Sequence, residues 1–304
     1  MATNITQAFN EFKSRLELSS TLQEAVTTHH EAIRKWIESY DYNIKTKLIG
    51  SLQRKTRIQP RANDIFDIDI LVVLGEFHGV AEVGRGVSPS EAIDNLYEIM
   101  KKHGTYRKMD PQKDYPTVFI EYKDNIRVEL VPAYRDFIYE PKGRGYLIPK
   151  NYNEWISADY DYDSEYISNK NKETDGWLIP TIKMLKAAKR NLFPQMKSYH
   201  LEVLATSIIP LLVTYYKNKN YLVSFSNLVY GFFLIAKDKV LKPCSIEGSK
   251  SPDASAYMGY YQKQNLVDIF NKIANYCEKI IILDGRYGIE GWRKLFGEPF
   301  PSYG

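Results

Sequence analysis

The chain has 304 residues, 44% of them hydrophobic and 26% charged, with a formal net charge of +4. That is enough for one large domain or two lobes with separate cores, and the charge is too mild to point to nucleic acid by itself. Two cysteines, Cys244 and Cys277, exclude a disulfide framework or a zinc ribbon. The stretch MATNITQAFNEFKSRLE is polar and charged, unlike a signal peptide. The longest apolar run, LATSIIPLLVTYY, is too short for a bilayer and carries Pro210. A cytoplasmic protein without a membrane span is expected.

From Ile5 to Ile44 apolar residues recur at three and four (Phe9, Phe12, Leu16, Ala25, Ile33, Trp36, Ile37), which predicts one or two long helices. Ser19, Ser20 and Thr21 supply a break and a new N-cap. Ile65 to Leu74 reads as a strand rich in Ile and Val. The glycine-rich stretch Gly75–Gly86 lacks a dinucleotide-binding glycine pattern and reads as a mobile loop. Ser88-Pro89 then opens a helix running to His103. TVFIEY and IRVELVPAY, separated by KDN, predict a hairpin whose second strand carries Glu129.

Residues 159 to 175 are polar and nearly free of aliphatic side chains, and read as a linker or loop between lobes. Beyond it, Ile179–Arg190, Tyr199–Tyr216, Asn220–Lys237 and Gln262–Leu283 show helical periods, although NYLVSFSNLVYGFFL alone would pass as a strand. The expected class is α+β. A mixed lobe over residues 1–158 is followed by a helical lobe over 176–304.

Asp67 and Asp69 interrupt the apolar strand two positions apart, so their side chains share one face. Two buried like charges repel unless a cation sits between them. A divalent ion with oxygen ligands is the economical explanation, and Mg2+ typically takes one or two carboxylates plus substrate phosphates. Glu129 offers a third carboxylate on a neighbouring strand, a set that suits two metal ions holding a phosphoryl group. Gly50-Ser51 stands sixteen positions before Asp67 and provides close backbone approach and a hydroxyl donor for phosphates, with Lys55 and Arg57 adding positive potential.

The order Gly50-Ser51, Asp67-x-Asp69, then Glu129 in RVELVPAY resembles the DNA polymerase β-like nucleotidyltransferases, and more narrowly the cGAS/DncV-like nucleotidyltransferases. IKMLKAAK resembles the helix bearing a phosphate-binding lysine, SYHLEVL the Ser-Tyr-His segment, and WRKLFGEPFP the C-terminal end of bacterial members. The matches run from about residue 48 to 301. Glu129 departs from the commoner Asp, and the zinc insertion of the animal DNA sensor is absent, so activation by double-stranded DNA is not implied.

The resemblance implies a polymerase-β-like core, a helical C-terminal lobe and an active site in the cleft between them. It implies catalysis and metal binding by Asp67, Asp69 and Glu129, with two Mg2+ ions replaceable by Mn2+. Gly50, Ser51, Lys186 (or Lys183, three positions earlier), Ser198 and Tyr199 would bind nucleotide, Tyr199 by stacking on a base and Ser198 also as a helix N-cap. His200 is expected to face the core, Glu202 to be a surface or cap residue, and Trp292, Phe296 and Phe300 to pack.

The implied activity is template-independent joining of nucleoside triphosphates, ATP or GTP, into a cyclic dinucleotide such as cyclic di-GMP or another purine-containing product. The family places this in bacterial anti-phage signalling through a separate effector, with the synthase expected as a monomer. The alternatives are transfer to an RNA 3′ end or a small-molecule acceptor on the same fold, and a non-catalytic nucleotide-binding module. The complete carboxylate set argues against the last.

Overall fold

The computed structural model describes residues 4–77, 88–136 and 145–302. Most of the Gly75–Gly86 loop therefore lies outside the described residues, and Gly75 itself belongs to a strand.

Two helices open the chain, α1 (Ile5–Arg15) and α2 (Ser20–Tyr40), the second capped by the Ser19 hydroxyl accepting from the Leu22 amide at 3.3 Å. Strand β1 (Lys45–Leu48), a four-residue helical turn α3 (Gly50–Gln53) and the long strand β2 (Phe66–Phe77) follow. Helix α4 (Pro89–Lys102) starts in a capping box between Ser88 and Glu91 with Pro89 at its first position, as the sequence predicts. After the short α5 (Gly104–Lys108) come β3 (Gln112–Asp114), β4 (Thr117–Glu121), β5 (Ile126–Asp136), β6 (Tyr146–Pro149) and β7 (Trp155–Ala158).

The strands form one mixed sheet in the order β1-β2-β5-β4-β3, with β6 continuing from β5 to β7. The central pair β2–β5 is parallel, and the β4–β5 hairpin is antiparallel with Val118 opposite Leu130. Alternation divides the two faces. Phe66, Ile68, Ile70 and Val72 join Ile126, Val128 and Leu130 in a core with Val26, Ile33 and Ile37 of α2 and Ile93 and Leu96 of α4. Leu71, Val73, Val131 and Ala133 face the other way, into a small cluster with Ile49 and Tyr146. Asp67, Asp69 and Glu129 lie on this second, thinly covered face, because they share its strand parity.

The expected linker at 159–175 is instead helix α6 (Tyr160–Glu173), which buries Asp163 and Ile167. Tertiary contacts at those two positions override a sequence whose polar residues carry little amphipathic signal. The helical lobe continues with α7 (Leu178–Leu192), α8 (Ser198–Asn218), α9 (Phe225–Lys239), α10 (Tyr260–Ile280) and α11 (Gly285–Phe296). The strand-like NYLVSFSNLVYGFFL becomes helical from Phe225, behind a Ser224 cap on the Asn227 amide.

Trp292, Phe296 and Phe300 are fully buried, as expected, but their partners are Phe9 and Phe12 of α1. The Phe9 and Trp292 ring centroids are 5.0 Å apart. The chain's first helix thus packs in the helical core. Among the described residues no helix is long and apolar enough to cross a membrane.

Candidate active site

The parallel register sets Asp67 opposite Arg127 and Asp69 opposite Glu129. Neighbouring strands bring facing Cβ atoms to about 5 Å, so Asp69 and Glu129 are cross-strand neighbours with Asp67 one step along the same face. The three predicted carboxylates therefore sit on one patch of sheet.

The chain crosses close above them. The Ile49 amide donates to the Asp69 carbonyl at 2.9 Å, and Gly50 follows with φ +72°. A Cβ on Gly50 would stand 2.1 Å from Asp69 Oδ2. Glycine is required here both for the left-handed backbone and because the Asp69 carboxylate occupies the space a side chain would fill. The Ser51 carbonyl accepts from the Thr56 and Arg57 amides at 2.9 and 3.2 Å, which closes the turn that carries Ser51 over the strand.

Arginines flank the patch. Arg57 approaches Asp67 at 3.8 Å, and Arg127 reaches Glu129 at 3.9 Å while also pairing with Glu121. Burial raises the Asp69 carboxyl above the ordinary carboxylate range and Asp67 adds to it, against the opposing pull of Arg57, Arg54 and Lys186. Burial, then repulsion from Asp69 and Asp67, lifts Glu129 to about 7. Mutual repulsion of this kind is what a divalent cation relieves, and three adjacent carboxylates are a hard oxygen donor set. The residue types and their register therefore fit such an ion. As the side chains stand, no three His, Cys, Asp or Glu residues among those described are gathered closely enough to hold one.

Helices α7 and α8 supply a buried charge cluster behind the turn. Glu202, fully buried, accepts from Arg54 Nε at 2.7 Å and pairs with Lys186 Nζ at 2.6 Å. Lys186 also donates to the Thr56 carbonyl at 3.0 Å and to its hydroxyl at 3.2 Å. Burial works to raise Glu202, but Arg54 and Lys186 outweigh it and hold its carboxyl at about 2. Burial lowers Lys186 to about 8 despite the carboxylate beside it. The expectation of a surface or capping role for Glu202 is thus incorrect. A carboxylate inside LEVLATSIIPLLV carried the same signal as Asp67 and Asp69 in their strand.

Lys183 pairs with Glu17 at 2.6 Å. Ser198 is exposed at the start of α8, whose N-cap is Lys197, so the capping role expected of Ser198 is not found. Tyr199 is part-buried; the Arg54 guanidinium lies over its ring, 4.9 Å from the centroid, and its hydroxyl donates to Asp163 Oδ2 at 2.7 Å. Asp163 also accepts from Ser249 and Ser251, at 2.5 and 2.7 Å, and so ties α6 to the long loop before α10. His200 is buried, as expected.

A mixed sheet bearing adjacent carboxylates beneath a Gly-Ser turn, closed by a helical lobe, is the architecture of a nucleotidyltransferase, and comparison with known proteins agrees. A family described as the Second Messenger Oligonucleotide or Dinucleotide Synthetase domain matches residues 1–171. The chain belongs to this family and is a nucleotidyltransferase of the cyclic oligonucleotide synthase class. A probable cyclic nucleotide synthase of Bacillus cereus strain VD146 is 26% identical over 293 residues, covering 84% of this chain and 81% of that protein.

Among solved structures, CdnC of E. coli MS115-1 with ATP shares the fold at a TM-score of 0.71 and 12% identity, over 98% of this chain and 99% of that one. CdnG of Bradyrhizobium diazoefficiens in complex with GTP gives 0.69 and 13%, over 96% and 95%. Vibrio cholerae DncV cyclic AMP-GMP synthase, in complex with a linear intermediate, gives 0.62 and 10%, over 85% and 69%.

Proposed function

We propose that this enzyme condenses nucleoside triphosphates, ATP or GTP, into a cyclic dinucleotide without a template, and that Asp67, Asp69 and Glu129 are its catalytic carboxylates. The observation that carries the reading is the register pairing of Asp69 with Glu129 on the thinly covered sheet face, with Asp67 beside them and Gly50 packed on Asp69. The three carboxylates would hold two Mg2+ ions, with Mn2+ able to replace them. Such ions, when bound, supply Lewis-acid stabilisation of the charge that develops on the phosphoryl oxygens.

In the first step a ribose 2′ or 3′ hydroxyl oxygen attacks the α-phosphorus of a second nucleotide. The bond from that phosphorus to the bridging oxygen of the β-phosphate breaks, pyrophosphate leaves and the hydroxyl proton is lost. The linear product then rebinds with its ends exchanged, and the same bond changes close the ring. Positioning and electrostatics supply most of the rate in transfers of this kind. Ser51 on its turn and Lys186 behind it would face the donor phosphates. Lys183, Ser198 and Tyr199 would complete the nucleotide contacts, with Tyr199 held by Arg54 and Asp163.

The cellular setting proposed is cytoplasmic anti-phage signalling, in which a monomeric synthase makes a product read by a separate effector. Mass spectrometry of products from pairwise nucleotide mixtures with Mg2+ or Mn2+ tests the chemistry. Cyclic products formed with no RNA or drug acceptor support it, and acceptor-dependent transfer alone would reject it.

A further inference from the structure

Arg54, Lys186 and Glu202 come from three separate parts of the chain, and all three are buried. The cluster holds two cations and one anion, so it is charge-unbalanced by itself. Each cation is already engaged beyond Glu202. Arg54 stands over the Tyr199 ring, and Lys186 is tied to Thr56, whose amide closes the Ser51 turn. Arg54 stands at the end of the turn itself, its amide donating to the Gly50 carbonyl at 3.2 Å, and Gly50 packs directly on the Asp69 carboxylate. Removing a partner from a buried ionic cluster leaves its remaining charges to find another. Asp69 is the carboxylate directly beneath the turn to which Arg54 and, through Thr56, Lys186 are bonded.

We infer that Glu202 is a positioning residue which, by holding Arg54 and Lys186 behind the Gly50–Ser51 turn, keeps those cations from capturing Asp69 and so leaves Asp69 available to a divalent cation. The inference rests on the carboxylate site proposed above. Glu202 touches neither substrate nor metal in this account. It acts through two basic side chains, one on the turn and one on α7, and thereby joins the helical lobe to the catalytic patch.

The test is Mn2+ titration of the full chain without nucleotide, read from the electron paramagnetic resonance signal of free Mn2+, with circular dichroism to verify folding. D67N/D69N comes first; if it binds Mn2+ like the wild type, the carboxylate site itself is wrong, whatever Glu202 does. With that site established, Glu202→Gln should weaken Mn2+ binding at least about tenfold, the scale of one unneutralised charge beside a part-buried site. The double variant E202Q/K186M removes one charge of each sign and should return Mn2+ affinity to within about threefold of wild type. A purely structural role for Glu202 predicts no such recovery. A folded E202Q with unchanged Mn2+ affinity would overturn the inference. Should E202Q alone fail to fold, the double variant decides: affinity about tenfold or more below wild type overturns the inference, and near-wild-type affinity upholds it.

Discussion

Gly50→Ala isolates the closest approach in the site. The new methyl carbon would fall 2.1 Å from Asp69 Oδ2, 2.9 Å from Cγ and 3.2 Å from Cβ. Ordinary carbon contacts begin near 3.5 Å, so the carboxylate or the turn must give way by about 1 Å or more. The backbone at φ +72° adds a left-handed penalty of about 1 kcal/mol for alanine. That much instability lowers the melting temperature by only about 2–4 °C in a chain of this size. The catalytic effect should be far larger, because a displacement of about 1 Å at reacting groups can cost about a hundredfold in rate. Pyrophosphate release and thermal melting, measured on the same preparations, separate the two effects. Gly104→Ala is the control, since a Cβ there meets nothing within 4 Å. A Gly50→Ala enzyme with wild-type turnover would show that Asp69 need not stand where the structure puts it.

Glu129→Gln should cut turnover at least about a hundredfold, the scale for one preorganised electrostatic contact, with only a modest change in affinity for a non-reactive triphosphate analogue; lost analogue binding at unchanged turnover per complex would make Glu129 a donor-positioning group. Tyr199→Phe deletes the hydrogen bond to Asp163 and should lower stability by about 1 kcal/mol, while Tyr199→Ala should also raise the nucleotide KM; a silent Phe variant would remove Asp163 from the account. Glu202 titrates at about 2 in the folded chain, below the unfolded value of about 4.3. The stability it contributes is therefore fully present above about pH 4.3 and is lost as pH falls toward 2. Urea midpoints of wild type and E202Q should converge across that window, and a gap that persists at pH 2 would contradict the buried ion cluster.

The face that carries the three carboxylates was legible because strand alternation is a local rule. Charged residues at alternate positions in an apolar strand declare a face, and the β4–β5 hairpin declared where Glu129 would pair. Helix α6 was not legible, since only Asp163 and Ile167 of its fourteen residues are buried and the rest read as solvated chain. Strand β1 is four residues long, too short to show a period. The cluster around Glu202 depends on partners up to 148 positions away in sequence, which no local pattern reports. What could have been read is that Glu202 stands among apolar residues of α8 and Lys186 among those of α7, and that charges so placed require partners.

The carboxylate patch on β2 and β5 is proposed to make phosphodiester bonds between nucleotides. The most direct test is mass spectrometry of reactions of wild type and D67N/D69N with the four nucleoside triphosphates and Mg2+, alongside thermal melting. Wild type should yield a cyclic dinucleotide and the variant none, and the variant's melting temperature should equal or exceed that of wild type, because two mutually repelling charges have been removed. Product formed by D67N/D69N at near the wild-type rate would contradict the proposal.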